Sequence, residues 1–537
     1  MSIDKSVNAA LAPATSLLTD TPVMHEELAA SSGASLVGFS QGGAGAQSRT
    51  VQEKLREKVS VFDFLTDAQK ADVEARTRLI DVTANIQSAI DASVGRELYF
   101  PAGDYLISAA LTVTLGSLTI ACDRGQAQFV LGTENQNGLV IGDGTGATKG
   151  RLYRTSVSGF NFVPMSGVST FSAGACISVN NASYVNIFFC TFYGSDGTTR
   201  RLWNGIYIFQ GVSVNVEWCM FTSLVNHGVD QEGSSGLANW TTSGRIDNCE
   251  FSDFLGNGVH FGPFSGGCTI NFPIMYSFFG TGVYVDSPGQ GNNFIFEPDI
   301  EVDNSSNGII VNQGAVIQIV GGWIGAGTIN QSALIVNSGA TDVQMMGTAV
   351  FGLSTTINGQ ACSIVGCSIA GDFATSHTGI VVNSTGSDAM IVGCRIKQFT
   401  HYGIQFANSP SGCVVSGCHF KNNTLGNVDG MNFNATFSPP VITGCTNDAT
   451  YSLTSAASLV LSVGKNMYGV TGSTPNITSM TTLGIAQRVT IQAGAGGITF
   501  AGGGNIQLKN SPTTVPSFST ISFVSDGLNW FEDGRNF

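Results

Sequence analysis

The stretch Ile187-Phe-Phe-Cys190-Thr-Phe192 is the first clean copy of a motif that recurs through the middle of the chain. The motif consists of an aliphatic residue, two variable residues, a cysteine, one variable residue, and Phe or Ile. Its other copies contain Cys219, Cys249, Cys367, Cys394 and Cys418, and a partial copy contains Cys445. Within the two runs the cysteines advance by 29, 30, 27, 24 and 27 residues. A nearly constant period of this size indicates a solenoid, in which each repeat is one turn of a coil.

A second motif, Gly followed by Ile or Val and two strand residues, follows most copies of the first. Examples are Gly228-Val-Asp-Gln231, Gly258-Val-His-Phe261 and Gly282-Val-Tyr-Val285. Several short strands per turn, with Asn or Gly at the corners, predict an all-β chain: a right-handed parallel β-helix with stacked, inward-pointing cysteines. Where the cysteines are missing, we expect their place to be taken by Pro273, Pro298, Gly322 and Gly347. Leucine-rich repeats are disfavoured because their Leu-x-x-Leu-x-Leu pattern is absent.

The chain divides into three predicted regions. Residues 1–56 are mostly small and polar and read as a short N-terminal attachment segment. Residues 57–446 form the β-helix, and an amphipathic helix from Thr83, the expected N-cap, to Ala92 covers its open first turn. Residues 447–537 alternate strands with Gly-rich turns and predict a β-sandwich-like C-terminal domain for trimerisation or carbohydrate binding.

Composition disfavours several classes of protein. The net charge of −14 argues against a nucleic-acid partner, because phosphate contacts rely on clustered Lys and Arg. The sequence has neither an apolar run long enough for a bilayer nor the order of a signal peptide, so we expect a soluble protein, made in a cytoplasm, with no membrane partner. The 12 cysteines are explained as free, buried core residues, and we expect no metal site and no cofactor.

Three stretches of this chain resemble bacteriophage tailspikes that act as capsule or O-antigen depolymerases. They are Arg49-Thr-Val-Gln-Glu-Lys-Leu-Arg56 with Val59-Ser-Val-Phe-Asp-Phe64, the segment from Ile86 to Tyr105, and the pair Asn505-Ile-Gln-Leu508 and Trp530-Phe-Glu-Asp-Gly-Arg535. The resemblance implies a homotrimeric protein of the virion tail, synthesised in the host cytoplasm, with a pectate-lyase-like β-helix. It also implies attachment to tail or baseplate proteins through the N-terminal segment, and cleavage of a bacterial surface polysaccharide. The chain departs from many such tailspikes after Phe64, where it lacks their Gly-Asp-Gly and paired aspartates.

The central turns are acidic and contain almost no cations. From Leu202 to Cys394 there is one, Arg245, against fourteen carboxylates, of which eleven lie between Glu217 and Asp303. Hydrolysis of a glycosidic bond needs two carboxyl groups, about 5 Å apart for retention and roughly 6.5–9.5 Å apart for inversion. A β-helix supplies such pairs, because residues i and i+2 of a strand lie about 6.6 Å apart and equivalent residues of neighbouring turns about 4.8 Å apart.

Two acidic patches are candidates for the catalytic residues. The residue after Gly-(Ile or Val) should face outward, which predicts one column of Tyr207, Asp230, His260, Tyr284 and Ile310. The position two residues on gives a second column of Phe209, Glu232, Gly262, Asp286 and Asn312. The rival patch lies after the cysteines, in a column of Met220, Glu250, Ile274, Asp299 and Trp323. Asp247 precedes its corner, and we expect Glu301 to approach Asp286 or Asn312. The candidate catalytic residues are Asp230, Glu232 and Asp286, or Asp247, Glu250, Asp299 and Glu301.

The candidate substrate-binding residues are four outward aromatics and one histidine. Tyr207, Trp240, Tyr284 and Trp323 could stack on a sugar ring, and His260 could bind one. The plainer alternative is that the aromatics only pack and the carboxylates only keep the solenoid soluble. We expect an endo-acting glycoside hydrolase. A polysaccharide lyase, with His260 or Tyr284 as base beside a metal, a non-cleaving receptor-binding fibre, and a purely structural rod remain alternatives.

Overall fold

The computed structural model describes residues 26–536, except for 31, 115, 143–153, 196, 198, 236–239, 289–291, 304–305, 327–330, 373–376, 384, 408–409, 430–440, 444, 448–450, 455–457, 460, 462–466, 472–475, 482–487 and 511. Short parallel strands dominate this part of the chain, and they stack turn upon turn into three faces. The predicted parallel β-helix is therefore confirmed, with about 14 turns. Among the described residues no helix combines the length and the apolar character needed to cross a bilayer.

The phenylalanine face contains the strands that follow the cysteines. It is a single 14-stranded sheet in which each strand pairs in parallel with that of the next turn. Its strands are Gly103–Ile107, Ala127–Leu131, Asn161–Pro164, Thr191–Tyr193, Met220–Thr222, Glu250–Ser252, Ile274–Tyr276, Asp299–Glu301, Trp323–Gly325, Ala349–Phe351, Ser368–Ala370, Arg395–Lys397, His419–Lys421 and Thr446–Asn447.

The glycine face contains the strands of the Gly-(Ile or Val) motif, and the aliphatic face those that precede the cysteines. Two long strands, Asn307–Val320 and Ser332–Met346, run through both faces and join them into one sheet. The other strands of the glycine face are Leu111–Val113, Leu139–Ile141, Ala175–Asn180, Asn204–Phe209, Val229–Glu232, Asn257–Phe261, Thr281–Asp286, Ser354–Ile357, Ile380–Val382, Tyr402–Phe406 and Gly426–Asp429. Those of the aliphatic face are Lys58–Ser60, Glu97–Phe100, Thr119–Cys122, Ser156–Ser158, Asn186–Phe188, Asn215–Glu217, Arg245–Asp247, Thr269–Asn271, Asn293–Phe296, Ser363–Val365, Met390–Val392, Val414–Ser416 and Val441–Thr443.

The two sequence motifs fit together inside the coil. Phe192, Phe221 and Phe251 stack along the axis with ring centroids 4.7 and 4.8 Å apart, close to the spacing of the strands themselves. The glycine of the second motif faces this stack, because a Cβ on Gly228 would lie 2.6 Å from the ring of Phe251. The glycines of this motif are therefore required by close packing. The 12 cysteines all lie in the part of the chain that the structure describes and form no disulfide, and all but the half-buried Cys122 are buried, as predicted.

The corner before each cysteine needs a positive φ. Glycine fills it in the later turns, as at Gly366 with φ 65°, but Phe189, Trp218 and Phe272 occupy it in earlier ones with φ of 51–56°. The register confirms that Pro273, Pro298 and Gly322 take the place of the cysteine, because the strands that follow them begin in line. The same expectation for Gly347 is wrong by one residue. Gly347 is the corner, with φ 66°, and buried Thr348 holds the cysteine position.

The N-terminal part caps the coil. The helix Thr83–Ala92 buries Ile86, Ala89 and Ile90, and its Gln87 side chain donates to the carbonyl of Thr112 and accepts from its N–H, at 2.9 and 2.8 Å. These contacts satisfy backbone groups of the first glycine-face strand. Thr83 is the first helical residue and Val82 the N-cap, so the N-cap prediction was wrong. The remaining elements here are helices Val51–Leu55 and Asp67–Ala75, 3-10 helices Gly33–Ser35 and Val61–Phe64, and strands Gly38–Phe39 and Arg49–Thr50.

The C-terminal part forms a mixed six-stranded sheet. In spatial order its strands are Tyr451–Thr454, Met467–Thr471, Arg488–Ala493, Thr520–Ser525, Trp530–Asn536 and Ile506–Gln507. The first three pair in parallel, as in the solenoid, and antiparallel pairing begins with Thr520–Ser525. Three two-stranded sheets complete the structure: Ser458–Leu459 with Ser479–Met480, Ile498–Phe500 with Thr513–Val515, and Thr241–Thr242 with Ser265–Gly266 beside the glycine face.

Candidate functional site

The outward side chains of the glycine face stand in the predicted register. Tyr207 pairs with Asp230, Asp230 with His260, His260 with Tyr284, and Tyr284 with Ile310. Each lies one turn above the last, so residues 20 to 30 apart in sequence become neighbours about 4.8 Å apart. The face therefore collects titratable groups from several consecutive turns on one surface.

Asp230 and His260 form a hydrogen-bonded pair in this column. His260 Nδ1 lies 2.7 Å from Asp230 Oδ1, and the side-chain amide of Asn204 donates to Asp230 Oδ2 at 3.2 Å. Asp230 is only 7% exposed, so its two oxygens are committed to these partners. A carboxylate that accepts from Nδ1–H leaves Nε2 of a neutral imidazole as the proton acceptor. In this arrangement Asp230 holds the His260 ring through Nδ1 and leaves Nε2 to face a ligand.

His227, which sequence reasoning did not nominate, packs against this pair. Its ring centroid lies 4.8 Å from that of His260, and its Nδ1 accepts the backbone N–H of Asn257 at 3.0 Å. Burial lowers the pKa of His227 to about 4, so the ring is neutral at ordinary pH.

Ligand atoms of His227, Asp230 and His260 lie within 4.8 Å of one another, which is close enough to share a cation. The donor chemistry of His227 opposes this use. Because Nδ1 of this neutral ring accepts a backbone hydrogen bond, the proton must sit on Nε2, and no lone pair remains for a metal. The trio fits proton transfer better than metal binding.

Glu232 and Asp286 stand on either side of Gly262 in the second outward column. Tyr207 donates its hydroxyl to Glu232 Oε2 at 3.0 Å, and Asn312 donates its amide to Asp286 Oδ1 at 3.0 Å. Between the two carboxylates stands Gly262, where a Cβ would lie 2.8 Å from Glu232 Cγ and 3.0 Å from His260 Cε1. Glu232 and His260 can therefore approach the backbone of Gly262 this closely only because position 262 has no side chain. A bulge after Val285 places Asp286 opposite Gln313, so its bond to Asn312 is a diagonal one.

Three of the predicted aromatic residues lie around the same face. Tyr207 stacks on Phe209 with centroids 6.3 Å apart, and Tyr284 lies 5.7 Å from His260. Burial, with the charge of Glu232 second, raises the pKa of Tyr207, and burial together with Asp286 raises that of Tyr284. Trp240 lies next to Thr241, whose hydroxyl donates to the carbonyl of Glu232. Tyr207 and Tyr284 therefore lie beside the carboxylates of Glu232 and Asp286.

The rival candidates lie on the other two faces. Asp247 is buried on the aliphatic face, where Arg245 and Asn271 both donate to it. Glu250 accepts from the hydroxyl of Tyr276 on the phenylalanine face. These bonds tie both carboxylates to structural neighbours.

Asp299, Glu301 and Trp323 also stand on the phenylalanine face, and Asp299 pairs in register with Trp323. Glu301 ends its strand at the corner that leads into the start of the glycine face. Asp286 lies at the far end of the strand Thr281–Asp286. The length of such a strand, about 16 Å, therefore separates the corner at Glu301 from Asp286. The expectation that Glu301 approaches Asp286 or Asn312 is wrong.

The fold defines the class of protein to which the chain is similar, namely parallel β-helix proteins that include a phage tailspike and polysaccharide epimerases. No family model and no curated protein matches the sequence. Among solved structures, tailspike protein 3 of bacteriophage CBA120 is 13% identical, with a TM-score of 0.57 over 82% of this chain and 70% of its own. The A-modules of the mannuronan C-5 epimerases AlgE6 and AlgE4 of Azotobacter vinelandii are each 15% identical. Their TM-scores are 0.52 and 0.50, over 73% and 72% of this chain and 99% and 100% of their own. The expected likeness to a phage tailspike is thus confirmed at the level of the fold.

Proposed function

We propose that the chain is a phage tailspike that binds and depolymerises a bacterial surface polysaccharide, a capsule, an O-antigen or an exopolysaccharide, as an endo-acting glycoside hydrolase. The observation that carries the proposal is the pair Glu232 and Asp286 on either side of Gly262. Two turns of the coil separate their backbones by about 9.6 Å, so the side chains need to lean only slightly toward each other to reach the carboxyl separation of inverting enzymes, roughly 6.5–9.5 Å. The attacking water would enter beside the half-exposed side chain of Glu232.

The hydrogen bonds assign the two roles. Glu232, which accepts the hydroxyl of Tyr207, acts as the base that takes a proton from water. Asn312 binds Oδ1 of Asp286 and leaves Oδ2 to carry the proton that goes to the leaving oxygen. The bond from water to the anomeric carbon forms as the glycosidic bond breaks. His260, fixed by Asp230, and the rings of Tyr207, Tyr284 and Trp240 hold the sugars.

The assembly proposed around this site is that of a tailspike. Residues 1–56 attach the protein to tail or baseplate proteins of the virion, and residues 447–537 join three copies or bind carbohydrate. The likeness to the CBA120 tailspike over 82% of this chain supports this assignment, as do the terminal motifs of the sequence.

The test is a panel of purified capsules and O-antigens incubated with the protein, followed by chain length on size exclusion and by reducing ends. We expect one polysaccharide to shorten, and Glu232→Gln and Asp286→Asn each to slow this at least a hundredfold while binding persists. Asp67→Asn, an exposed carboxylate in the helix Asp67–Ala75, is the matched control and should stay near the wild-type rate. Binding without shortening of any chain would leave a receptor-binding fibre and remove the hydrolase.

A polysaccharide lyase is the second candidate, favoured by the Asp230–His260 pair. In elimination, Nε2 of His260 would take the C5 proton of a uronate, the C4–O bond would break to give a C4=C5 double bond, and the leaving oxygen would be protonated. Its products absorb ultraviolet light, whereas hydrolysis products do not. Absorbing products, lost in His260→Gln and retained in Glu232→Gln, would replace the hydrolase with a lyase.

A further inference from the structure

Four basic side chains form a block on the phenylalanine face, away from the site described above. Arg395 pairs with His419 and Lys397 with Lys421 in adjacent strands. All four positions alternate with buried Ile396 and Phe420, so their side chains point outward. The side chains thus stand at the corners of a rectangle of about 4.8 by 6.6 Å.

This block is unusual in a chain with a net charge of −14, of which residues 202–394 contain a single cation. Lys397 lies directly opposite Lys421, and like charges in that position destabilise a sheet. In the part of the chain that the structure describes, neither Arg395 nor Lys397 forms an ion pair. An anion bound beside Arg395 and Lys397 would interact favourably with both charges.

An aromatic platform lies on the same face three turns earlier. The indole of Trp323 covers Gly325, since a Cβ there would lie 2.1 Å from its ring. The ring therefore lies flat along the sheet, and Trp323 and Phe351 remain 36% and 43% exposed. Between this platform and Arg395 the outward positions hold small residues, Ser368 and buried Ala370. Along the sheet this surface thus presents exposed aromatic rings, then small side chains, and then basic side chains.

We propose that this surface, from Trp323 and Phe351 to the basic block, is a binding site for an acidic glycan. The aromatic rings stack on sugar rings, and Arg395 and Lys397 bind the carboxylate or phosphate groups that the glycan carries. The inference deepens the proposed function by naming the substrate class as anionic polysaccharide. It does not depend on the cleavage site, because the two surfaces lie on different faces.

The experiment measures binding of fluorescent glycans by anisotropy to the full-length Glu232→Gln protein, which keeps the probes intact. The probes are hexagalacturonate, which carries carboxylates, a phosphomannan fragment, which carries phosphates, and neutral cellohexaose. We expect at least one acidic probe to bind more tightly than cellohexaose. The double variant Arg395→Ala/Lys397→Ala should weaken that binding at least tenfold, and Trp323→Ala should weaken it in the same direction. The preferred acidic probe distinguishes carboxylate from phosphate.

The matched control removes two exposed cations elsewhere, Lys58→Ala/Arg124→Ala, and should change the affinity less than twofold. Equal losses in the control and the test variant would show a general charge effect and overturn the proposal. The proposal would also be overturned if Arg395→Ala/Lys397→Ala did not weaken the binding, or if the parent Glu232→Gln protein did not prefer the acidic probes. So would a change of mass in light scattering without loss of glycan binding, because the block would then be a contact between subunits. Cleavage without acidic-glycan binding would leave the hydrolase standing and remove only this site.

Discussion

Gly262→Ala should disable the proposed hydrolase without unfolding it. The new Cβ would lie 2.8 Å from Glu232 Cγ, 3.0 Å from His260 Cε1 and 3.2 Å from the carbonyl of Gln231. Ordinary contacts begin near 3.4 Å, so Glu232 must shift by about 0.6 Å and His260 by about 0.4 Å. A misplacement of about 1 Å can cost roughly a hundredfold in rate. We therefore expect kcat/KM to fall about 10- to 100-fold.

The cost to stability should be small, because the Glu232 side chain is half-exposed and can move, which places it near the low end of the ~1–3 kcal/mol typical of overpacking. The assay is the rate of new reducing ends at low substrate concentration, beside a denaturation midpoint. Gly534→Ala is the matched control, because no atom lies within 4 Å of its added Cβ. A Gly262→Ala protein with wild-type kcat/KM would refute the claim that Glu232 and Asp286 act together on either side of Gly262.

Three further predictions concern stability. Burial holds the pKa of His227 at about 4 against 6.5 in the unfolded chain, so the folded state binds fewer protons and the free energy of unfolding falls, by about 3 kcal/mol, as the pH drops through this window. His227→Gln should remove that fall in denaturation curves measured from pH 7 to 4. Trp218→Asn should stabilise the protein by up to about 1 kcal/mol, because the corner has φ 55° and Asn248 fills it in the next turn. A loss of stability would contradict this account. Phe221→Ala should cost about 3–5 kcal/mol in the same measurement, because its ring is stacked on both sides, and an unchanged midpoint would contradict the packing.

The turns of the solenoid could be predicted from sequence because each motif residue has one structural duty. Cys219 is buried just after the corner, the ring of Phe221 stacks along the axis, and Gly228 leaves room for the ring of Phe251. The one phase error, at Gly347, arose because a glycine suits a positive-φ corner as well as a small core position, and the sequence there offers Gly347 and Thr348 side by side.

The columns of the candidate site were predictable for the same reason, but the partners within them were not. Register follows from the repeat, which is why Tyr207, Asp230 and His260 stand in line. His227 was not among the predicted site residues, and its contact with the backbone of Asn257 depends on the bend before the glycine. The position of Glu301 was predicted wrongly because the sequence repeat does not show which end of a strand lies next to which corner.

The role of a carboxylate in this coil is decided by the residue one turn away. Asp230 and Glu232 are two positions apart on one strand, and their side chains are of the same kind. Asp230 faces His260 on one side and is closed off by Asn204, so it can orient but not attack. Glu232 faces Gly262 instead, which has no side chain that could bind its carboxylate. An exchange of residues 260 and 262 would therefore exchange the proposed roles of Asp230 and Glu232, although neither acid itself had changed.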